Sequence, residues 1–336
     1  MGPGAKPPAA SSQTASGREP APRLYLSTWP HLLDADTVPR IMYQVILALL
    51  PGALVGVYVF GMAALNVILL CVATCVATEW AIQRLSGRPV TVADGSAALT
   101  GLLLAMTLPP GVPWWISVIG GLTAMILGKH VYGGLGYNPF NPALVARVVL
   151  LISFPLQLTT WPVPGGTDGV TAATPLGILH DEGLHKLADF RLMDTVVGFV
   201  GGSLGETSAL ALLLGGAYLL YRRIITWHIP ASFIGTVFAF SGIMHLVNPA
   251  EYASPWFHVL SGGLLLGAFF MATDMVTSPV TPRGQLIFGI GCGLLTIVIR
   301  LWGGYPEGVS FAIVIMNATV PILDKYITPR TYGRGA

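Results

Sequence analysis

Ten apolar stretches dominate this chain, at roughly 41–60, 63–82, 96–108, 113–130, 143–160, 194–221, 229–247, 256–275, 285–302 and 308–325. A hydrophobic run of about 20 residues is what an α-helix needs to cross a bilayer. Of the 336 residues, 53% are hydrophobic and 10% charged, whereas soluble domains carry about 25% charged residues. With so little polar surface for water, the chain reads as an all-α polytopic membrane protein of about ten transmembrane helices. The 96–108 run stops at Pro109-Pro110, and 194–202 is Gly-rich ahead of Glu206. Broken helices at membrane depth are tolerated only where protein or a cavity surrounds them, and they often mark sites.

The basic residues orient the chain. With the N-terminus inside, thirteen of the 17 Lys and Arg fall in inside segments, only Lys186 and Arg191 in outside ones, and Arg147 and Arg300 within spans. Positive residues concentrate on the cytoplasmic side, so both termini are expected in the cytoplasm. The expected divisions are a cytoplasmic arm (1–38), a first membrane half (39–160), an outer, periplasmic loop (161–193), a second half (194–326) and a cytoplasmic tail (327–336). The arm is rich in Pro, Ala, Ser and Gly and lacks the apolar core of a signal peptide.

A faint repeat joins the halves. GSAALTGLLLA (95–105) echoes GETSALALLLG (205–215), and the Gly-rich turn YGGLGYNPFNP (132–142) has a counterpart in WGGYPEGVS (302–310). A separation of five spans inverts one five-helix half relative to the other, an arrangement that places sites between halves at mid-membrane.

Ionisable residues inside spans are functional candidates, because charge in lipid is costly. Glu79, Asp94 and Asp324 sit near span ends, where the interface explains them. Glu206, Asp274 and Arg147 lie deeper and are expected to line a polar cavity, with Arg147 pairing one of the two acids. Asn138-Pro139 and Asn141-Pro142 suit a helix entry, Asn as cap and Pro at the first position. Cys71, Cys75 and Cys292 fall in apolar runs and read as small buried hydrophobes. The histidines show no metal-ligand spacing, so no metal site is expected. Nothing suggests nucleic-acid binding or a nucleotide loop.

One stretch stands apart from the greasy background: VTAATPLGI (170–178), small, hydroxylated and closed by Pro175. Together with GGLGYNPFNPALVARVVLLISFP (133–155), DGVTAATPLG (168–177), LGETSALALLLGG (204–216), FFMATDMVTSP (269–279) and GGYPEGVSFAIVIMNATVPILD (303–324), it resembles the RnfD family. These are membrane subunits of the Rnf electron-transport complex, related to the B subunit of the sodium-pumping NADH:quinone reductase. The resemblance covers about residues 24 to 334.

The family pattern D-G-x-[ST]-[GA]-A-T falls here on Asp168, Gly169, Thr171, Ala172, Ala173 and Thr174. The resemblance implies FMN held by a phosphoester on Thr174, with Asp168, Thr171, Ala173 and Pro175 around it, on an exposed segment of the outer face. It also implies a second, non-covalent flavin, riboflavin, near Asn138 and Asn141. The implied role is an electron relay through the bacterial inner membrane, in a complex coupling electron transfer between ferredoxin and NAD to Na⁺ or H⁺ translocation. The implied partners are the A, B, C, E and G subunits of that complex and an FMN transferase for maturation. The rival reading is a urea- or ammonium-channel-like transporter without redox role.

Overall fold

The computed structural model describes residues 37–162, 171–181, 183–185, 195 and 201–328. Residues from Val38 onward form one compact unit. Its helices are α1 (Val38–Phe60), α2 (Met62–Leu85), α3 (Ser96–Thr107), α4 (Trp114–Thr123), α5 (Pro142–Ser153), α6 (Pro155–Leu158), α7 (Pro175–Asp181), α8 (Ala209–Tyr221), α9 (His228–Val247), α10 (Pro255–Leu260), α11 (Leu264–Leu266), α12 (Pro282–Trp302) and α13 (Val309–Tyr326). Five of them, α1, α2, α9, α12 and α13, are long and apolar enough to span a membrane, and α3, α5 and α8 are shorter apolar helices. Large apolar side chains such as Leu54, Tyr58, Leu69, Ile243 and Leu246 face outward, as a lipid solvent allows. The protein is therefore an all-α, multi-pass membrane protein. Its described β-structure is one antiparallel ladder of two residues a side, Trp161 opposite Ala172 and Pro162 opposite Thr171.

Local chemistry sets the helix starts. Asn141, Ser254 and Thr281 each cap a helix whose first residue is proline, where a missing N–H costs nothing. Proline also explains why the fifth apolar run is not one helix. Pro155 pushes Phe154 out of helical geometry, so α5 ends at Ser153 and α6 restarts beyond it. The eighth run is broken as well, between α10 and α11, where Gly262 takes φ +71°. Both α4 and α11 run on into π-helical turns, Ala124–His130 and Gly267–Met271.

The two halves pack alike. In the first, α2 lies on α3 and α4, and α4 on α5; in the second, α9 lies on α10 and α12, and α12 on α13. Across the seam α1 meets α8 and α5 meets α13. The matched elements are five spans apart, as the Gly-rich turns predict. The other sequence echo does not follow this register. Residues 95–105 lie on α3, whose packing counterpart is the broken α10–α11 segment, whereas 205–215 lie at the start of α8. Ala, Leu, Gly and Ser recur in any tightly packed membrane helix, and this composition imitates a repeat.

Two charges are not where the sequence puts them. Glu79, expected at the interface, and Lys129, expected among the inside loops, are both about 1% exposed. Lys129 Nζ lies 2.6 Å from Glu79 Oε1 and donates to Ser96 Oγ at 2.7 Å. Gln83 donates to the same Glu79 oxygen at 3.2 Å. The π-helical turn carrying Lys129 adds a residue to the helical cycle and so rotates the lysine inward. Breaking a buried pair costs about 3–5 kcal/mol, whereas replacing both partners together can be neutral. Lys129→Met and Glu79→Gln are each expected to lower stability by about that amount, and the double variant to regain most of it. Thermal unfolding of the detergent-solubilised protein measures this; a double variant no better than the worse single would contradict it.

Candidate functional site

The hydroxylated stretch becomes the start of α7. Thr174 is its cap: Oγ1 accepts from the Gly177 N–H at 3.0 Å, and its carbonyl from the Ile178 N–H at 2.8 Å. Pro175 at the first helical position keeps Thr174 itself out of the helix. The expectation of an exposed side chain fails, because Thr174 is 3% exposed. It is buried by docking. Leu176 packs with Ala253 and Phe257 and approaches Gly262 at the α10–α11 break so closely that a Cβ there would lie 2.5 Å from Leu176 Cδ1. Thr171 belongs to the ladder opposite Pro162, and Asp168 lies outside the described residues.

A cavity of about 630 Å³ opens beside the cap. Ligand pockets typically measure about 300–1,000 Å³. Ala173, Thr174 and His180 line it from the α7 side, Arg147 from α5, Trp161 from the ladder, and Tyr305 and Glu307 from the turn before α13. Aromatic faces, a guanidinium and a hydroxyl thus converge. His180 bridges α7 to that turn, with Nδ1 2.8 Å from Asp181 Oδ1 and Nε2 3.1 Å from the Gly303 carbonyl. Both partners accept, so the ring donates twice only when protonated. The Asp181 carboxylate, then the Gly303 carbonyl, raises the His180 pKa above its ordinary value.

Arg147 is buried, as an intramembrane charge must be, but its partner is neither Glu206 nor Asp274. Its Nη2 lies 3.3 Å from Glu307 Oε2. Glu307 stands in a Gly-Pro turn that reads as a connector, and only its position between two apolar runs hints at a role. Behind this ion pair is a second chamber of about 20 Å³, lined by Arg147, Glu307, Glu206, Thr107, Ser203 and Ser310 among others. Arg147 Nη1 is buried without a partner. Arg300, which the sequence placed in a span without assigning it a role, donates to the His258 and Ser261 carbonyls freed by the helix break.

The remaining candidates line a third cavity elsewhere in the protein. Asn138, Asn141 and Asp274 share it with Lys129, Ser96 and Thr100. Asn141 is fully engaged: Oδ1 accepts from Ala143 and Leu144 N–H at 3.1 and 3.4 Å, and Nδ2 donates to the Met271 carbonyl at 3.3 Å. With its amide turned to the orientation its neighbours require, Asn317 accepts from the Asn141 N–H and donates to the Thr277 carbonyl, both at 3.1 Å. Asp274 accepts from Thr277 Oγ1 at 3.2 Å. Asn138 Oδ1 is buried without a partner. At about 80 Å³ this cavity has room for a few waters and is smaller than a flavin ring. Among the described residues no cluster of His, Cys, Asp or Glu is placed to hold a metal.

Residues 25–333 match the model of the NQR2, RnfD, RnfE family. The chain belongs to this family. Among its relatives there, one from Stutzerimonas stutzeri, named as the D subunit of an ion-translocating oxidoreductase complex, is 49% identical over 90% of this chain and 94% of its own length. The Clostridium ljungdahlii relative, the D subunit of a proton-translocating ferredoxin:NAD(+) oxidoreductase complex, is 46% identical, over 92% of this chain and 96% of its own. The Acetobacterium woodii relative, the D subunit of a Na(+)-translocating ferredoxin:NAD(+) oxidoreductase complex, is also 46% identical, over 92% and 95%. A proton translocator and a sodium translocator are equally similar, so overall identity carries no information about the ion.

The His180 bridge gives α7 a pH dependence. A raised folded pKa means the bridge is fully present below the ordinary histidine pKa of about 6.5 and is lost as pH rises through the folded value. Hydrogen exchange in residues 175–181, corrected for intrinsic rates, is expected to quicken across that interval in the wild type. In His180→Gln it is expected to show no such step; the same step in both proteins would rule the bridge out.

Proposed function

We propose that this protein is the flavin-carrying subunit of a membrane complex that couples electron transfer between ferredoxin and NAD to Na⁺ or H⁺ translocation. In this reading Thr174 holds FMN through a phosphoester. The observation that carries it is the convergence beside one buried threonine of a flavin-sized cavity, two aromatic side chains and a guanidinium. The family relatives, named as subunits of ion-translocating oxidoreductase complexes, support the wider role. The partners proposed are the A, B, C, E and G subunits and an FMN transferase, and the setting is the bacterial inner membrane with both termini cytoplasmic.

The residues fit the group. Thr174 Oγ1 accepts the Gly177 N–H through a lone pair, so replacing its proton by phosphorus leaves the α7 cap in place. Trp161 and Tyr305 supply aromatic lining for a ring system. Arg147 supplies positive charge opposite a phosphodiester or an electron-rich ring. FMN bound there would supply reversible one- and two-electron chemistry, while the chain sets its position and electrostatics. The cavity beside Asn138 and Asn141, at about 80 Å³, does not fit a second, riboflavin-sized group.

Protein matured with its transferase is expected to give a peptide spanning 161–191 that is heavier by FMN minus water, with the added mass on Thr174. A denatured gel band is expected to fluoresce as flavin in the wild type and not in Thr174→Ala. A bare threonine in matured protein, or a non-fluorescent wild-type band, would exclude the covalent reading and return the channel-like alternative.

A further inference from the structure

We propose that Glu206 and Glu307 form a proton-binding site in which one proton is shared between the two carboxyl groups, at the boundary between the Thr174 cavity and the small chamber behind it.

The two acids come from different parts of the fold. Glu206 ends the short 3₁₀ turn Leu204–Glu206 before α8, and Glu307 lies in the turn before α13. Glu206 and Glu307 line the same chamber of about 20 Å³, with Ser203 beside them, so the two carboxyl groups face one small space. Two ionised carboxylates confined there repel, and a single proton on the pair removes the repulsion. Glu307 also accepts from Arg147 at 3.3 Å, so the cation in contact with the pair is engaged by Glu307, and the proton is assigned to Glu206. The surroundings agree with this assignment. Glu206 lies against Gly202 and Gly263, where an added Cβ would come within 3.0 and 3.6 Å of its carboxyl oxygens.

The charged and titratable groups around the pair are few. Arg147 reaches it from α5. Arg300 approaches from α12 but gives its hydrogen bonds to the His258 and Ser261 carbonyls. His180, Asp181 and Tyr305 stand across the larger cavity. The chamber of about 20 Å³ admits about one water; Arg147 lines it, and Arg147 Nη1 is buried without a partner. Glu307 lines both spaces and its side chain is 20% exposed. A proton therefore enters from the cavity side through Glu307 and rests on Glu206. The site stands whether or not Thr174 carries a flavin. Its position lets it take up or release a proton when the charge in the neighbouring cavity changes.

Infrared spectroscopy of the full-length, detergent-purified protein at neutral pH tests this. The wild type is expected to show a deuterium-sensitive protonated-carboxyl band, lost in Glu206→Gln and in Glu307→Gln and retained in Glu79→Gln. No such band in the wild type, or a band unchanged in both cavity variants, overturns the proposal. If either variant fails to fold, carbon-13 glutamate in the wild type decides: a shifted band supports the site and an unshifted one overturns it. Flavin fluorescence of the same preparations is read separately, so a missing flavin and a missing shared proton are distinguished.

Discussion

Arg300 closes a break in the helical packing of the second half of this protein. A helix broken inside a membrane leaves carbonyls with no water to bond. At the gap between α10 and α11 those carbonyls belong to His258 and Ser261, and one guanidinium takes both. Because the break is closed in this way, Gly262 can keep its left-handed geometry and present a flat surface to Leu176. That surface receives α7 and buries Thr174. The candidate site thus depends on a cation that touches neither of the cavities described beside it.

The first half also carries a buried cation near a left-handed glycine, but there it meets side chains. Gly95, also left-handed, precedes α3, and Lys129 from the end of α4 reaches Ser96 there. Lysine and arginine hold matching stations, one near the C-terminal end of each half's fourth span. Their partners differ. Lys129 is neutralised directly by Glu79, whereas Arg300 is spent on main chain, leaving the acids of its half, Glu206 and Glu307, to Arg147 and to one another. The halves share packing but not electrostatics. Lys129 and Glu79 pair within the first half, whereas Arg147 of the first half reaches across to Glu307 of the second, beside a space large enough for a ligand.

Much of this was legible in the chain itself, and the exceptions have physical causes. Apolar runs, the Gly-rich turns and the Asn-Pro caps report local preferences, and these survive folding. Arg147 was readable as a buried functional charge because lipid leaves few alternatives. Its partner was not, since Glu307 sits among Gly and Pro in a stretch that looks like connection. Glu79 and Lys129 were misplaced because burial near a span end depends on helix rotation, which a single π-helical turn changes. Thr174 is singled out by the family resemblance of its motif, and its burial depends on α7 docking against residues about 80 positions away, which no local pattern encodes.

The concealment of that hydroxyl has a bearing on biogenesis. An enzyme acting on a side chain needs the segment drawn out into its own active site, and a threonine sealed beneath a docked helix offers no such purchase. Any esterification must happen while α7 is still undocked, either before the nascent chain completes its packing or during a later local opening. Maturation then becomes a race between two events, and the speed with which Leu176 finds Gly262 sets how long the door stays open.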